Sequence, residues 1–124
     1  MTARLQIYKC EICGNIVEVL HPGQGRLVCC GQPMTLMKEK TQEEGQEKHL
    51  PVVDLKDKGV GIKVGEVPHP MEEAHHIEWI QFIAGNTIWR QFLNPGEAPE
   101  VFFTVPTTPG TAREYCNIHG LWKK

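Results

Sequence analysis

Four of the chain's five cysteines fall within its first thirty residues, as Cys10-x-x-Cys13 followed by Gly14 and as the adjacent pair Cys29 and Cys30. No other feature restricts the fold as strongly. A C-x-x-C turn aims two thiolates at one centre while backbone N–H groups hydrogen-bond to the sulfurs. Neighbouring cysteines seldom form a disulfide with each other, because the ring they close is strained, yet both reach one ion if its tetrahedron distorts. Four thiolates favour iron or zinc. The competing reading is a pair of disulfides or plain buried thiols. A segment this short buries too little apolar surface to fold alone, so a bound metal would contribute much of its folding free energy.

Composition selects between these readings. The 124 residues suit one ordinary domain or two very small ones, and 40% hydrophobic content supports a modest core. A net charge of -2, with lysines scattered among glutamates, gives no sign of a nucleic-acid footprint. No apolar run has membrane length, and "MTARLQIYKC" lacks the apolar stretch and small-residue cleavage site of an export signal, so the expected location is the cytoplasm. In that reducing setting an odd number of cysteines reads as metal ligands or reactive thiols.

Two compositional regions follow along the chain. Residues 1–37 hold four of the five cysteines, the alternating stretches "LQIYKC" and "NIVEVL", and a turn-rich "HPGQGR" between the second stretch and "LVCCG", which predicts short strands around a metal knuckle. Residues 38–48, "KEKTQEEGQEK", are polar and without apolar periodicity, a linker composition. Beyond it lie six strand-like runs, "LPVVDL", "GVGIKVG", "HIEWIQFI", "TIWRQFL", "VFFTV" and "AREYC", broken by Gly, Pro and Asn. Closely spaced runs with no helical period predict an all-β second domain over 49–124, an antiparallel β-sandwich of about 75 to 85 residues.

The fifth cysteine stands apart, in "REYCNIHGLW". Cys116 and His119 are three residues apart and read equally as a metal clamp, a nucleophile with its base, or unrelated residues. Taken singly, a histidine is more often a satisfied polar side chain than a ligand. Four of them, His49, His69, His75 and His119, in or near predicted loops together with one unpartnered cysteine carry more weight. His69 and His75 are too widely spaced for a helical pair and suit a loop that folds its ends onto one ion. His21 lies in the "HPGQG" turn, where a solvated role is expected.

At these residues the chain resembles desulfoferrodoxin, the two-iron form of superoxide reductase, over essentially its whole length. The matching segments are "YKCEICGNIVEVL", "LVCCGQPM", "EKH", "HPMEEAHHIEWI", "FLNPGEAPE" and "AREYCNIHG", in the family's order and spacing. The resemblance implies a desulforedoxin-like domain with an iron held by Cys10, Cys13, Cys29 and Cys30, followed by an immunoglobulin-like sandwich. It implies a second iron bound by His49, His69, His75 and His119 with Cys116 as axial ligand. It further implies one-electron reduction of superoxide to hydrogen peroxide without oxygen release, a rubredoxin-like electron donor and a homodimer. Lys48 would be the cation beside the open position, and Glu47 a carboxylate able to occupy it after turnover. Composition alone leaves both on a solvated charge run.

The chemistry of the donor set points the same way. Zinc has no redox couple and prefers four ligands, so five N and S donors favour iron. Ferrous iron among four neutral imidazoles and one thiolate keeps a net positive charge, which attracts a small anion. Two positions depart from the family pattern: His76 stands where a Tyr or Trp is expected, and Leu121 where a second histidine is common. Because neighbouring strand residues face opposite ways, only one of His75 and His76 can point at the iron, and the match to "HPMEEAH" favours His75. Three rival functions remain. A structural zinc protein leaves Cys116 and the histidines idle. A cysteine hydrolase at Cys116 and His119 has no evident oxyanion hole or orienting third group. An electron-transfer protein without a substrate would need the open position blocked.

Overall fold

The computed structural model describes residues 1–42, 45–105 and 108–124 of the chain, so residues 43 and 44 of the predicted linker lie outside the described residues. It divides into two compact units, Met1–Lys38 and Glu39–Lys124.

In the first unit, β1 (Ile7–Lys9) pairs antiparallel with β2 (Ile16–Glu18), and β3 (Val28–Cys29) with β4 (Gln32–Pro33). The last strand, β5 (Thr35–Leu36), pairs with the free edge of β1. β4 and β5 are too short for any periodicity to announce them. Ile7, Cys10 and Val19 are the buried hydrophobic residues of this unit, which is little core for 38 residues. Each cysteine pair sits on a tight turn that follows a strand. After β1, the Gly14 N–H bonds to the Cys10 carbonyl at 2.9 Å, and Gly14 takes φ +87°, a conformation open to glycine at no steric cost. After β3, Cys30 itself holds φ +53° and Gly31 φ +74°, so an L-residue is kept in the left-handed region.

The second unit opens with a short helix, α1 (Gln46–His49), and continues with β6 (Pro51–Lys56), β7 (Gly59–Val64), β8 (Ile77–Ala84), β9 (Thr87–Phe92), β10 (Glu100–Phe103), β11 (Thr111–Cys116) and β12 (Gly120–Lys123). All six predicted runs form strands, and β12 is a seventh that "GLWK" does not signal by alternation. Two antiparallel sheets result, β10-β7-β6 and β12-β11-β8-β9. Val60, Ile62 and Val64 of β7 and Val101 and Phe103 of β10 meet Ile80 and Phe82 of β8 and Ala112 and Cys116 of β11 in one apolar core. This is the period-two burial of a sandwich.

The core also holds a buried thiol. Between Tyr115 and Cys116 the register of β11 against β8 shifts, so that Cys116 lies opposite Ile77 and Glu78 is passed over. The bulge keeps apolar Ile77 beside the thiol where regular pairing would bring a carboxylate. Just past β7, Gly65 (φ +85°) ends the strand, and its N–H bonds to the Leu50 carbonyl at 3.1 Å. A Cβ there would meet the Val67 carbonyl oxygen and lie 2.7 Å from that of Lys48. Both are backbone, so neither can move alone.

Gly65→Ala is therefore expected to destabilise the second unit by about 2–4 kcal/mol and to displace α1 with His49. Denaturant unfolding together with metal analysis checks this: metal should fall in the second unit and remain at the four cysteines.

Candidate metal centres

Cys10, Cys13, Cys29 and Cys30 bring their four sulfurs within 4.8 Å of one another. Cys13 Sγ lies 3.6 Å from Cys29 Sγ, and Cys29 Sγ 4.0 Å from Cys30 Sγ. The Cys13 N–H points at Cys10 Sγ at 3.5 Å, and the Asn15 side-chain amide at Cys29 Sγ at 3.8 Å. Backbone N–H groups of Cys13 and Ile12 pull the Cys10 thiol down to about 6, whereas the thiols around Cys30, Cys13 first, push it up to about 12. One thiolate forms readily and the next are resisted. Four sulfurs at this separation become four thiolates only around a cation, which is the donor set of a structural iron or zinc site.

The second group contains His49, His69, His75, Cys116 and His119, with one donor atom of each inside the same 4.8 Å limit. His49 ends α1, His69 lies in the segment between β7 and β8, and His75 bonds back to Glu72 across a two-residue turn just before β8. Cys116 ends β11, and His119 sits in the turn to β12. The imidazoles form a closed ring: centroids are 4.6 Å apart for His49 and His69, 4.8 Å for His69 and His75, 4.9 Å for His75 and His119, and 4.6 Å for His119 and His49. Every contact is edge-on, at 62° to 84°. His76 is outside the group; its backbone N–H bonds to Asn117 Oδ1 at 2.9 Å, and its buried Nδ1 has no partner among the described residues.

Tautomers test whether a cation fits. His49 Nδ1 donates to the Gly45 carbonyl at 2.8 Å, and His69 Nδ1 to the Pro70 carbonyl at 2.7 Å. Each neutral ring then carries a lone pair on Nε2, and these two nitrogens face one another at 3.1 Å. His75 Nε2 is buried with no hydrogen-bond partner among the described residues. Facing lone pairs repel unless a cation lies between them. His49 Nε2 and His119 Nδ1 are 3.0 Å apart, and a square built on these two measured edges of 3.0 and 3.1 Å has its centre about 2.1–2.2 Å from each corner (edge divided by √2), close to the metal–imidazole reach of about 2.0–2.1 Å. The buried Cys116 thiol, 3.7 Å from His119 Nδ1, supplies the fifth donor.

Burial sets the electrostatics of this group. It holds His69 down at about 4 and lowers His49 and His119 as well, with His75 and Lys40 adding to the effect on His119. Burial raises the Cys116 thiol, opposed by the backbone N–H groups of His119, at 3.4 Å, and Ile118. The group grades from buried (His49, His69, Cys116) to exposed (His119), so one side opens to solvent. Glu47 and Lys48 precede His49 on α1 with exposed side chains, outside the five donors.

Three further residues escape sequence reasoning. Trp122 stacks on His49 with centroids 4.7 Å apart and donates from Nε1 to the His119 carbonyl at 3.2 Å. Lys40 Nζ donates to the same carbonyl at 3.0 Å. Glu114, two residues before Cys116, is wholly buried with both carboxylate oxygens unpartnered among the described residues, and burial raises its carboxyl well above the usual range. An acid in such a place is neutral. The run "AREYC" shows Glu114 at an inward position but looks like ordinary alternation, and nothing in "KEKTQ" separates Lys40 from its neighbours.

Residues 2–37 match the family model for the desulfoferrodoxin N-terminal domain, and residues 41–124 match the one for desulfoferrodoxin itself. The chain belongs to the desulfoferrodoxin family. A desulfoferrodoxin from Syntrophotalea carbinolica is 55% identical over 122 residues, 98% of this chain and 97% of the relative. A superoxide reductase from Thermococcus kodakarensis is 36% identical over 96 residues, 62% of this chain and 84% of that one. The crystal structure of the superoxide reductase from Treponema pallidum superposes with a TM-score of 0.79 at 28% identity, covering 100% of this chain and 99% of that one. The two donor groups match the two-iron organisation of a desulfoferrodoxin. No helix among the described residues is long and apolar enough to cross a membrane.

The lowered histidines predict acid sensitivity of the metal-free second unit. His69 takes up its proton near pH 4 when folded and near 6.5 when unfolded, so between these values the unfolded chain binds more protons and stability falls as the pH falls. Denaturant midpoints of the metal-free protein should therefore drop between pH 7 and pH 5, and a flat profile would contradict the neutral, inward-facing His69.

Proposed function

We propose that this protein is a superoxide reductase with two iron centres, one at Cys10, Cys13, Cys29 and Cys30 and the catalytic one at His49, His69, His75, His119 and Cys116. The observation that carries this reading is the closed ring of four imidazoles joined by one buried thiol, with two lone pairs turned on each other at 3.1 Å. When bound there, iron supplies a one-electron couple and a positive centre for a small anion. The balance is one electron and two protons added to superoxide to give one hydrogen peroxide. No oxygen is released.

The chain's own groups set the conditions. Carbonyl acceptors at Gly45 and Pro70 fix which nitrogens of His49 and His69 face inward. The N–H groups of Ile118 and His119 temper the charge density on Cys116, an electron-rich donor that favours electron transfer out of the centre. Lys48, exposed and adjacent to ligand His49, attracts the superoxide anion to this face, and Glu47 beside it is a carboxylate able to take the open position after turnover. The Cys13 and Cys30 side chains are exposed, which suits the four-cysteine centre to receiving an electron from a rubredoxin-like donor. A homodimer in the cytoplasm completes the reading.

The test is superoxide consumption by the reduced protein with peroxide and oxygen measured together. Peroxide should form at one per superoxide without oxygen, and oxygen release at half that rate would indicate dismutation instead. Cys116→Ser should abolish both the thiolate-to-ferric absorption of the second centre and most of the reduction, because a serine oxygen is a harder, poorer donor. A variant keeping both would remove Cys116 from the mechanism.

Lys48→Ala should slow the bimolecular reaction by about tenfold, the lower end of electrostatic steering, and flatten its dependence on ionic strength. Stopped-flow rates across a salt series decide the point. Unchanged rate and slope would place Lys48 on an indifferent solvated face.

A further inference from the structure

Lys40 lies in the polar stretch before the sandwich, yet its position is closely determined. Just before it, Glu39 is gripped by Arg113 Nη1 at 3.1 Å and by Lys123 Nζ at 3.6 Å. Arg113 is itself 2% exposed and bonds through Nε to Gln81 at 2.8 Å. The Lys40 backbone then docks on the open edge of β12: its N–H bonds to the Leu121 carbonyl at 2.9 Å, and its carbonyl accepts from Lys123 at 3.0 Å. Alternation along this short extended stretch sends Glu39 to the outer face and Lys40 to the inner one. There Nζ reaches the His119 carbonyl at 3.0 Å and lies 5.6 Å from the centre of the Trp122 ring. The same indole donates to that carbonyl and stacks on His49. One ammonium thus touches the backbone of one member of the histidine ring and the aromatic plane that backs another.

We propose that Lys40 is a positioning residue of the second centre: it anchors the His119 turn and biases bound iron towards the ferrous state. This rests on the iron assignment above and extends it. The anchor is geometric. The His119 carbonyl, held by Lys40 Nζ and Trp122 Nε1, precedes Gly120 (φ +86°), and these three fix the hairpin that joins Cys116 to His119. The bias is electrostatic. Oxidation of ferrous to ferric iron adds one positive charge to the centre, and a nearby ammonium disfavours that added charge. Lys40 is half-buried, so solvent weakens this effect without removing it. A ferrous resting state is the one able to give an electron to superoxide, so the charge favours readiness for reaction. Lys48, on the exposed side, serves encounter; Lys40, against the backbone, serves the redox state.

The experiment is a redox titration of the iron-loaded full-length protein, followed by the thiolate-to-ferric absorption of the second centre at low ionic strength. Lys40→Met removes charge and donor, Lys40→Gln keeps a donor without the charge, and Lys40→Arg keeps both. At a fixed solution potential near the midpoint, the ferrous-to-ferric ratio should fall about threefold in Lys40→Met and Lys40→Gln, about 28 mV at 59 mV per tenfold, and stay at the parent value in Lys40→Arg. Parent ratios in both Met and Gln variants overturn the electrostatic bias. A parent ratio in Gln with a fall in Met overturns it as well, leaving only an anchor. If the parent protein shows no iron absorption from the histidine ring, the functional reading itself falls and this inference with it; an unmoved ratio in a loaded parent series removes this inference alone.

Discussion

Repulsion among like donors is the constraint on which the structure turns. His49 and His69 present lone pairs to one another because each ring spends its only N–H on a backbone carbonyl, and four cysteine sulfurs crowd one another in the first unit. Neither arrangement is favourable on its own, and each becomes so around a cation. Metal binding and folding are therefore linked in both units, most tightly in the first, where three buried hydrophobic residues form the core. In the second unit the sandwich core bears the folding load and holds the ring in place.

The division of labour between scaffold and site is visible in β11. One face of the strand carries Ala112, Glu114 and Cys116 inward, and the other packs Arg113 and Tyr115 beneath Gln81 and Trp79. A strand covered on both faces does not shift, so the thiol at its end is held rigidly. The bulge at Tyr115 and Cys116 then sets the surroundings of that thiol. The histidines, by contrast, come from a helix end, a loop, a tight turn and a hairpin. Their backbones are pinned by local hydrogen bonds, not by the sheet, which makes the ring sensitive to Gly65, Gly45 and Gly120.

Polar groups form the outer layer around the site. The chain from Gln81 through Arg113 to Glu39 closes one face of the second sheet, and on the other face Lys40 and Trp122 share the His119 carbonyl. Glu114 has no such partner among the described residues, and a buried acid is tolerated there because burial keeps it neutral.

The sequence by itself determined the four-cysteine group and the fold class. Cysteine spacing is a local property, and C-x-x-C with a following glycine makes its knuckle from adjacent residues; likewise, alternation over "VGIKV" and the β-branched and aromatic run "IEWIQFI" encode strands without reference to the rest of the chain. The family match then named the histidines, whose spacing alone did not. Only the tertiary structure decided which groups surround the donors. β12 and the short β4 and β5 form because neighbouring strands offer them an edge, and Lys40 matters because β12 does. Trp122 backs His49 across 73 positions of sequence, a distance over which no local periodicity carries information. His75 rather than His76 joins the ring because a turn to Glu72 orients it before the strand begins. First-layer chemistry was legible because it requires particular side chains at short spacings; the second layer was not, because any suitably placed N–H, ring or cation serves, and placement is what folding supplies.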